Sequence, residues 1–371
     1  MKKIIGIAGG GQLGRMLCSA AKDLGFDTVV LDPTPNSPAA QVANQHIVGS
    51  FKDKEKIIEL ADKCDFLTCE IEGVSIEGLE EIEKSKKPVN PSSKIIKIIR
   101  DKFAQKTFLQ NNNLPVGEFA LIEGQDDAKM QGKIFGYPYL LKARFDAYDG
   151  RGNSVIEAEE DIPGALEKLS GSPLYAEKFI PFVKELAVIS ARDTFGNIQN
   201  FEVVETVHKN NICHIVRHPA GVSAEIKDQA REIANSALGA LGGIGIFAVE
   251  MFLTQENEIL INEIAPRVHN SGHHTIEAYS VSQFEQHIRA IAGMELKKPE
   301  PLSKAAVMVN ILGERDGKAQ FQSQASDSAH VHIYGKMETR KERKMGHLTV
   351  LEDGVEEAER KALDARNKIS I

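Results

Sequence analysis

Apolar positions recur along this chain in two periods, and the first ninety residues show both. Lys3 to Ala8 is a short apolar run that predicts a strand. Leu13, Met16, Leu17, Ala20, Ala21 and Leu24 then return at helical spacing. Gly25 is the expected stop, Phe26 to Leu31 a second strand, and Phe66 to Ile71 a further buried one. Strands alternating with helices imply a parallel sheet covered by helices, hence an α/β fold. Lys84 to Ser92, KSKKPVNPS, is basic and broken by proline, and marks a boundary. A helix is expected from about Ser93 to Gln110, ended by NNNLPVG. Short strands and helices alternate over 113–174 around a glycine-rich loop at 150–152, and another helix is expected around Gln283 to Gly293. KKPEPLS at 297–303 leads into a small C-terminal unit that closes on EEAERKALDARNKISI, a charged helix expected to fray. The chain therefore divides at 1–92, 93–296 and 297–371, with 113–174 as a subdomain of the middle part.

Two apolar runs, Ile246 to Leu253 and Ile259 to Ile264, flank the polar stretch TQENE and predict an antiparallel hairpin. Centred on Glu256-Asn257, it sets Leu253 against Leu260, Phe252 against Ile261 and Glu250 against Glu263. Two carboxylates directly opposite on one face repel each other. They are either solvated groups on an edge strand or oxygen ligands of a divalent cation such as magnesium, which takes one or two carboxylates plus substrate phosphates. The donors crowded after Glu263 (Arg267, His269, Asn270, Ser271, His273 and His274) favour the second reading, since a plain hairpin needs none of them.

Composition narrows the class. A chain of 371 residues fits two or three domains, and 42% hydrophobic with 26% charged residues is ordinary for a globular protein. A net charge of −8 without a long basic run disfavours nucleic-acid binding. No apolar run approaches the roughly 18–20 residues needed to span a bilayer, which disfavours a membrane protein. MKKIIGIAGGG runs straight into a glycine turn and reads as a first strand rather than a secretory signal. Cys18, Cys64, Cys69 and Cys213 lack C-x-x-C spacing, as expected of reduced packing residues in a cytoplasmic protein.

Several motifs carry candidate chemistry. Gly9, Gly11 and Gly14 form G-x-G-x-x-G between a strand and a helix, with Asp32 eighteen residues beyond Gly14. This is either a dinucleotide fingerprint or a tight turn used for another ligand. Glu70 and Glu72 fall at the carboxyl end of a strand, where open α/β sheets bind ligands. Lys142 closes the run YLLKA and either snorkels to solvent or meets an anion. Gly150 and Gly152 can aim backbone amides at phosphate oxygens. Lys336, Arg343 and Lys344 form a basic, glycine-bounded cluster that is either a solvated face or a monophosphate grip. His269, His273, His274 and His287 lack H-E-x-x-H geometry, so imidazole hydrogen-bond donors account for them better than zinc does.

Taken in order, GGGQLGRM, CEIEGV, YDGRGN, AEKFIPFVKELAVISAR, NEIAPRVHNSGHHT and YGKMETRKERKMGH resemble the 5-(carboxyamino)imidazole ribonucleotide synthases of purine biosynthesis, a branch of the ATP-grasp superfamily. The resemblance covers most of the chain. It implies an ATP-grasp fold with an N-terminal Rossmann-like domain and a small C-terminal domain. The reaction it implies is carboxylation of 5-aminoimidazole ribonucleotide with bicarbonate as ATP is cleaved to ADP and phosphate. ATP would meet Lys102, Lys142, the loop Ala147, Tyr148, Asp149, Gly150, Arg151, Gly152 and Asn153, the connection Glu177, Lys178, Phe179 and Ile180, and Glu185, His208, Asn262 and Glu263. Magnesium would sit on Glu250 and Glu263. The ribonucleotide would meet Gln12, Leu13, Glu72, Tyr148, Asp149, Arg151, Arg267, His269 and Asn270, with Lys336, Arg343 and Lys344 on its 5′-phosphate. Asp149 would orient or deprotonate the exocyclic amine, Arg267 would bind bicarbonate or carboxyphosphate, and Lys142 would offset phosphate charge. Family members have glycine where this chain has Ala147, which restricts the loop backbone. The resemblance also implies a homodimer and opens a functional pairing with the downstream mutase.

Three other readings compete. Formate-dependent glycinamide ribonucleotide transformylase shares the turn, hairpin and basic cluster, but YDGRGN and NSGHHT favour the carboxylating enzyme. A non-catalytic nucleotide-binding regulator has no need of Glu250, Glu263, Lys142 and Asp149 together. An NAD-dependent oxidoreductase leaves the hairpin and the basic cluster unexplained.

Overall fold

The computed structural model describes residues 2–145, 152–325 and 328–371. Ala147, Tyr148, Asp149, Gly150 and Arg151 therefore lie outside the described residues.

The N-terminal part is a parallel sheet in the order β3-β2-β1-β4, from β1 (Ile4–Ala8), β2 (Asp27–Asp32), β3 (Gln45–Val48) and β4 (Phe66–Cys69). Helices α1 (Gln12–Asp23), α2 (Lys54–Asp62) and α3 (Ile76–Lys84) cover it. Gly25 follows α1 with φ +84°, a left-handed position that glycine adopts without strain. β4 ends two residues short of the expected Ile71, leaving Glu70 and Glu72 beyond the carboxyl edge of the sheet.

The single helix expected over 93–110 is two helices, α4 (Ser93–Arg100) and α5 (Lys102–Asn111). Asp101 breaks it. Its carboxylate accepts from the Phe103 and Ala104 amides as the cap of α5, and Arg144 forks onto it, with Nε 3.0 Å and Nη2 2.5 Å away. A small antiparallel sheet follows, in the order β5-β8-β6-β7: β5 (Phe119–Ile122), β6 (Tyr139–Ala143), β7 (Asn153–Ile156) and β8 (Leu174–Lys178). Its outer face is covered by α6 (Gln125–Phe135) and α7 (Ile162–Lys168).

A nine-stranded sheet dominates the rest. It contains β9 (Phe182–Arg192), β10 (Ile198–Asn200), β11 (Val204–Lys209), β12 (Ile212–His218), β13 (Gly245–Thr254) and β14 (Ile259–Ala265). Helix α8 (Ala224–Leu241) packs on one face, capped by Ser223 and stopped by Gly242. Short α9 (Thr275–Ala278) and α10 (Gln283–Ile291) lie on the other face. There Phe284 and Ile288 share a core with Leu13 and Leu17 of α1, which joins the N-terminal part to this sheet.

The sheet does not stop at the boundary near 297. Its path β14-β13-β9-β11-β12 continues into β15 (Ala305–Leu312), which pairs antiparallel with β12. Two minor pairs decorate the far end, β16 (Gly317–Lys318) with β19 (Glu338–Thr339) and β17 (Gln322–Ser323) with β21 (Ile369–Ser370). The main path closes with β18 (Ala329–Ile333) and β20 (Lys344–Glu352). Helix α11 (Val355–Arg366), expected to fray, instead buries Ala358, Ala362 and Ala365 in the adjoining core.

Candidate active site

The β13–β14 hairpin does bring Glu250 opposite Glu263, but by a different register from the one expected. Phe252 faces Leu260 and Leu253 faces Ile259, each one residue off the symmetric pairing. A bulge at Asn262 absorbs the difference and realigns the carboxylates. Their repulsion is offset in part by a neighbouring ammonium group. Lys102 Nζ is ion-paired with Glu263, holding it below the usual carboxylate range against the cost of its burial. Burial, then the charge of Glu263, pushes Glu250 upward, so this position retains a proton more readily.

Around this pair the cations are in register. Lys142, on β6, lies 2.9 Å from Glu177 Oε2, and Lys106, on α5, lies 3.2 Å from Glu177 Oε1 and donates to the Ile261 carbonyl at 3.1 Å. Burial works against the charge of Glu177, but the two lysines more than offset it and hold the group down to about 2. The Lys178 amide donates to the Glu118 carbonyl at 3.0 Å, so that donor is committed within the small sheet. Phe179 is exposed and Ile180 half-buried on the crossing to β9. Glu185 faces Phe252 across β9–β13, and His208 Nδ1 lies 3.0 Å from Glu185 Oε1. Burial disfavours the imidazolium of His208, yet Glu185 raises its affinity for a proton. Gly152 precedes β7 and Asn153 begins it, with Asn153 Oδ1 buried without a hydrogen-bond partner among the described residues.

At the carboxyl edge of the N-terminal sheet, Arg267 Nε donates to Glu72 Oε1 at 2.8 Å, joining the loop after β14 to the end of β4. His269 Nδ1 stands 3.6 Å from Glu250 Oε1 and 2.9 Å from Ser271 Oγ, and burial depresses its basicity to about 3. Asn270 exchanges side-chain amide bonds with Asn310 at 3.0 and 2.7 Å, so its amide is engaged with β15. The other histidines of the cluster are packed into the interior. His287 accepts from the Ile246 amide and bonds Thr68 Oγ1 at 2.8 Å, and His273 bonds Gln283 and packs on His347. His274 is fully buried against His218. Among the described residues no group of three or more His, Cys, Asp or Glu is arranged to hold a metal.

The glycine turn is closed to a dinucleotide. The Glu70 carboxylate accepts from the Gly11 amide and, at 2.5 Å, from the Gly14 amide, so an internal anion occupies the start of α1. A Cβ on Gly9 or Gly11 would lie 2.5 and 2.7 Å from the Glu70 side chain, so these glycines make room for that carboxylate. Asp32 accepts from the Gly10 and Thr34 amides, both at 2.8 Å, which takes it away from a ribose. Gln12 is half-buried beside the turn, whereas the Leu13 side chain is in the core, leaving only its backbone to meet a ligand. Across from this turn stands the basic cluster. Lys336 Nζ donates to the Lys344 carbonyl at 2.6 Å and Arg343 Nη1 to the Glu338 carbonyl at 2.8 Å.

Three family models match the chain in succession: the ribonucleotide synthetase preATP-grasp domain over 1–100, the ATP-grasp domain over 107–284, and the phosphoribosylaminoimidazole carboxylase C-terminal domain over 306–361. An N5-carboxyaminoimidazole ribonucleotide synthase of Staphylococcus haemolyticus is 37% identical, the match covering 97% of this chain and 95% of the relative. The chain belongs to the N5-carboxyaminoimidazole ribonucleotide synthase family. A phosphoribosylaminoimidazole carboxylase of Ogataea methanolica is 44% identical over 96% of this chain, which spans 68% of that longer relative. A crystal structure of the Aspergillus clavatus synthase in complex with ADP and 5-aminoimidazole ribonucleotide superposes with a TM-score of 0.90, at 38% identity and 99% coverage of both chains.

Within this family member the sequence reading missed three features of the site. Lys106 was unmarked, because a lysine inside an amphipathic helix gives no signal until the fold turns it inward. Arg144 sits two residues past Lys142 and was passed over for the same lack of a motif. Phe182 and Phe252 stack at 4.5 Å beside Glu185, an aromatic surface that a scan for charged groups does not find.

Proposed function

We propose that the protein carboxylates 5-aminoimidazole ribonucleotide to 5-(carboxyamino)imidazole ribonucleotide in de novo purine biosynthesis, using bicarbonate and cleaving ATP to ADP and phosphate. The observation that carries this reading is the convergence on the Glu250–Glu263 pair of Lys102 from α5, Lys142 from β6 and Arg267 from the loop after β14, the last tied to Glu72 beyond β4. The relatives' names and the ribonucleotide complex of the Aspergillus synthase support it.

Bicarbonate is a poor electrophile, and phosphorylation makes it one. Its oxygen attacks the γ-phosphorus, the bond to the ADP oxygen breaks, and carboxyphosphate forms. Loss of phosphate then releases carbon dioxide beside the exocyclic amine, which adds to it and gives up a proton. Phosphoryl transfer asks a protein mainly for positioning and charge neutralisation. Lys142 and Lys102 leave their carboxylates to meet the nucleotide phosphates, and Lys106 keeps Glu177 paired while they do. Arg267, oriented by Glu72, holds bicarbonate and then carboxyphosphate. Asp149, in the loop outside the described residues, is assigned to the amine by resemblance alone.

The residues fit magnesium: Glu250 and Glu263 offer hard carboxylate oxygens opposite each other on neighbouring strands. The two would hold the ion against the ATP phosphates, where it would supply charge neutralisation. On the same resemblance we take the enzyme to be a cytoplasmic homodimer feeding a mutase, divided at 1–92, 93–296 and 297–371. No helix among the described residues is long and apolar enough to cross a membrane.

The test is ADP release by the purified protein. Full rate should require both bicarbonate and 5-aminoimidazole ribonucleotide. Turnover driven instead by formate and glycinamide ribonucleotide would move the protein to the transformylase branch.

A further inference from the structure

The ribonucleotide site is divided between the N-terminal and C-terminal parts of the chain. Gln12 opens α1 and Glu72 follows β4, while Lys336 stands on the loop between β18 and β19. One side chain joins the two. Gln41 Nε2 donates to the Gly335 carbonyl at 2.8 Å and to the Asn36 carbonyl at 3.1 Å, and Gln41 Oε1 accepts from Arg15 Nη1 at 2.9 Å. Arg15 is held in turn, its Nη1 donating to the Pro38 carbonyl at 3.0 Å and its amide to the Gly11 carbonyl at 3.0 Å. The partners fix which way the amide points. Turned over, it would set its NH2 against a guanidinium and its oxygen against two carbonyls.

Gly335 is shaped for this contact. Its φ of +77° lies in the left-handed region, and a Cβ there would come 2.5 Å from Gln41 Oε1 and 3.3 Å from Arg15 Nη1. On the other side of Lys336, Met337 Sδ accepts from Asn36 Nδ2 at 3.9 Å. Lys336 is thus flanked by two residues that rest on the segment after β2. Arg15 lies one helical turn beyond Gln12, so the same contacts set the distance between the turn and the ammonium.

We propose that Gln41 is a positioning residue for the ribonucleotide: with Arg15 and Gly335 it latches the Lys336 loop to the α1 turn, setting the span over which the substrate is gripped. This rests on the functional reading above, in which Lys336 meets the 5′-phosphate. A latch that only stiffened the fold would alter melting temperature and leave substrate selectivity unchanged.

The experiment is a double-mutant cycle in the full chain. Gln41→Ala should raise the KM for 5-aminoimidazole ribonucleotide about tenfold, the size expected for loss of one or two hydrogen bonds that preorganise a charge. The KM for ATP and the kcat at saturation should stay within about twofold. In a Lys336→Ala background the same substitution should change the ribonucleotide KM little, because coupled residues are not additive. Gly335→Ala should reproduce the Gln41→Ala effect. Equal effects of Gln41→Ala with and without Lys336, or an unchanged ribonucleotide KM in folded Gln41→Ala and Gly335→Ala proteins, would overturn the latch. If wild-type ADP release did not respond to the ribonucleotide at all, the functional reading would fail first and the latch with it.

Discussion

Lys106 Nζ lies 3.2 Å from Glu177 Oε1, a pair set deep between α5 and β8. Burial lowers Lys106 from the ordinary lysine range and Glu177 pulls it back, while Lys142 holds the other carboxylate oxygen at 2.9 Å. A carboxylate between two ammonium groups holds Lys142 in place, and under the proposed function it would leave Lys106 paired when Lys142 turns to the nucleotide.

Glu177→Gln should therefore destabilise the protein strongly. Removing one member of a buried ion pair costs about 3–5 kcal/mol, because a charge is left without its partner. Under the proposed function ATP phosphates would supply the missing negative charge for Lys142, so the gain in melting temperature on adding Mg-ATP should be larger for the variant than for wild type. An equal gain would show that Lys142 does not exchange partners.

The same carboxylate has an acid signature. Its folded value of about 2 lies below the ordinary 4.5, so its contribution to stability is fully present above about pH 4.5 and is lost as pH falls toward 2. The difference in melting temperature between wild type and Glu177→Gln should narrow across that window. A gap that stayed constant from pH 5 to about 2.5 would contradict the assignment.

Glu263→Gln should abolish nucleotide turnover by removing one of the two carboxylates assigned to magnesium. The sequence alone suggests that this change relieves repulsion with Glu250. In the structure the change also takes from Lys102 its ion-pair partner, which works against that relief. The variant without nucleotide should therefore melt at or below the wild-type temperature, checked by calorimetry. Wild-type ATPase activity in the variant would remove the metal assignment.

Arg343→Ala should weaken the ribonucleotide much more than ATP. A charge-assisted contact left unpaired is worth roughly 2–4 kcal/mol, which corresponds to about 30-fold to several hundred-fold in KM. Arg343→Lys should recover part of the loss, since lysine keeps the charge without the planar fork. An unchanged ribonucleotide KM would return the cluster to a solvated basic face.

Most local elements and the existence of the β13–β14 hairpin were legible because they follow from the pattern of apolar residues, whereas Glu250 meets Glu263 only through a bulge. What was not legible depended on contacts distant in sequence. The bulge at Asn262 leaves no trace in hydrophobic pattern, yet it decides which residues face each other. The break at Asp101 arises because Arg144, more than forty residues away, stabilises the cap. Glu70 and Asp32 looked available to ligands, and only the fold shows their oxygens accepting from amides of the glycine turn and its neighbours. Leu13 falls in a motif and also on the buried face of α1, and packing took the side chain.

The pairing of β12 with β15 bears on how far the chain can be shortened. Ile215 meets Val309 and Val216 meets Met308 along that ladder, and all four are buried. A protein ended before β15 would keep the β13–β14 hairpin, but β12 would become an edge with a row of unsatisfied amides and carbonyls beside bare apolar side chains. Such an edge recruits other strands. The C-terminal unit thus covers what would otherwise be the open edge of the large sheet at β12.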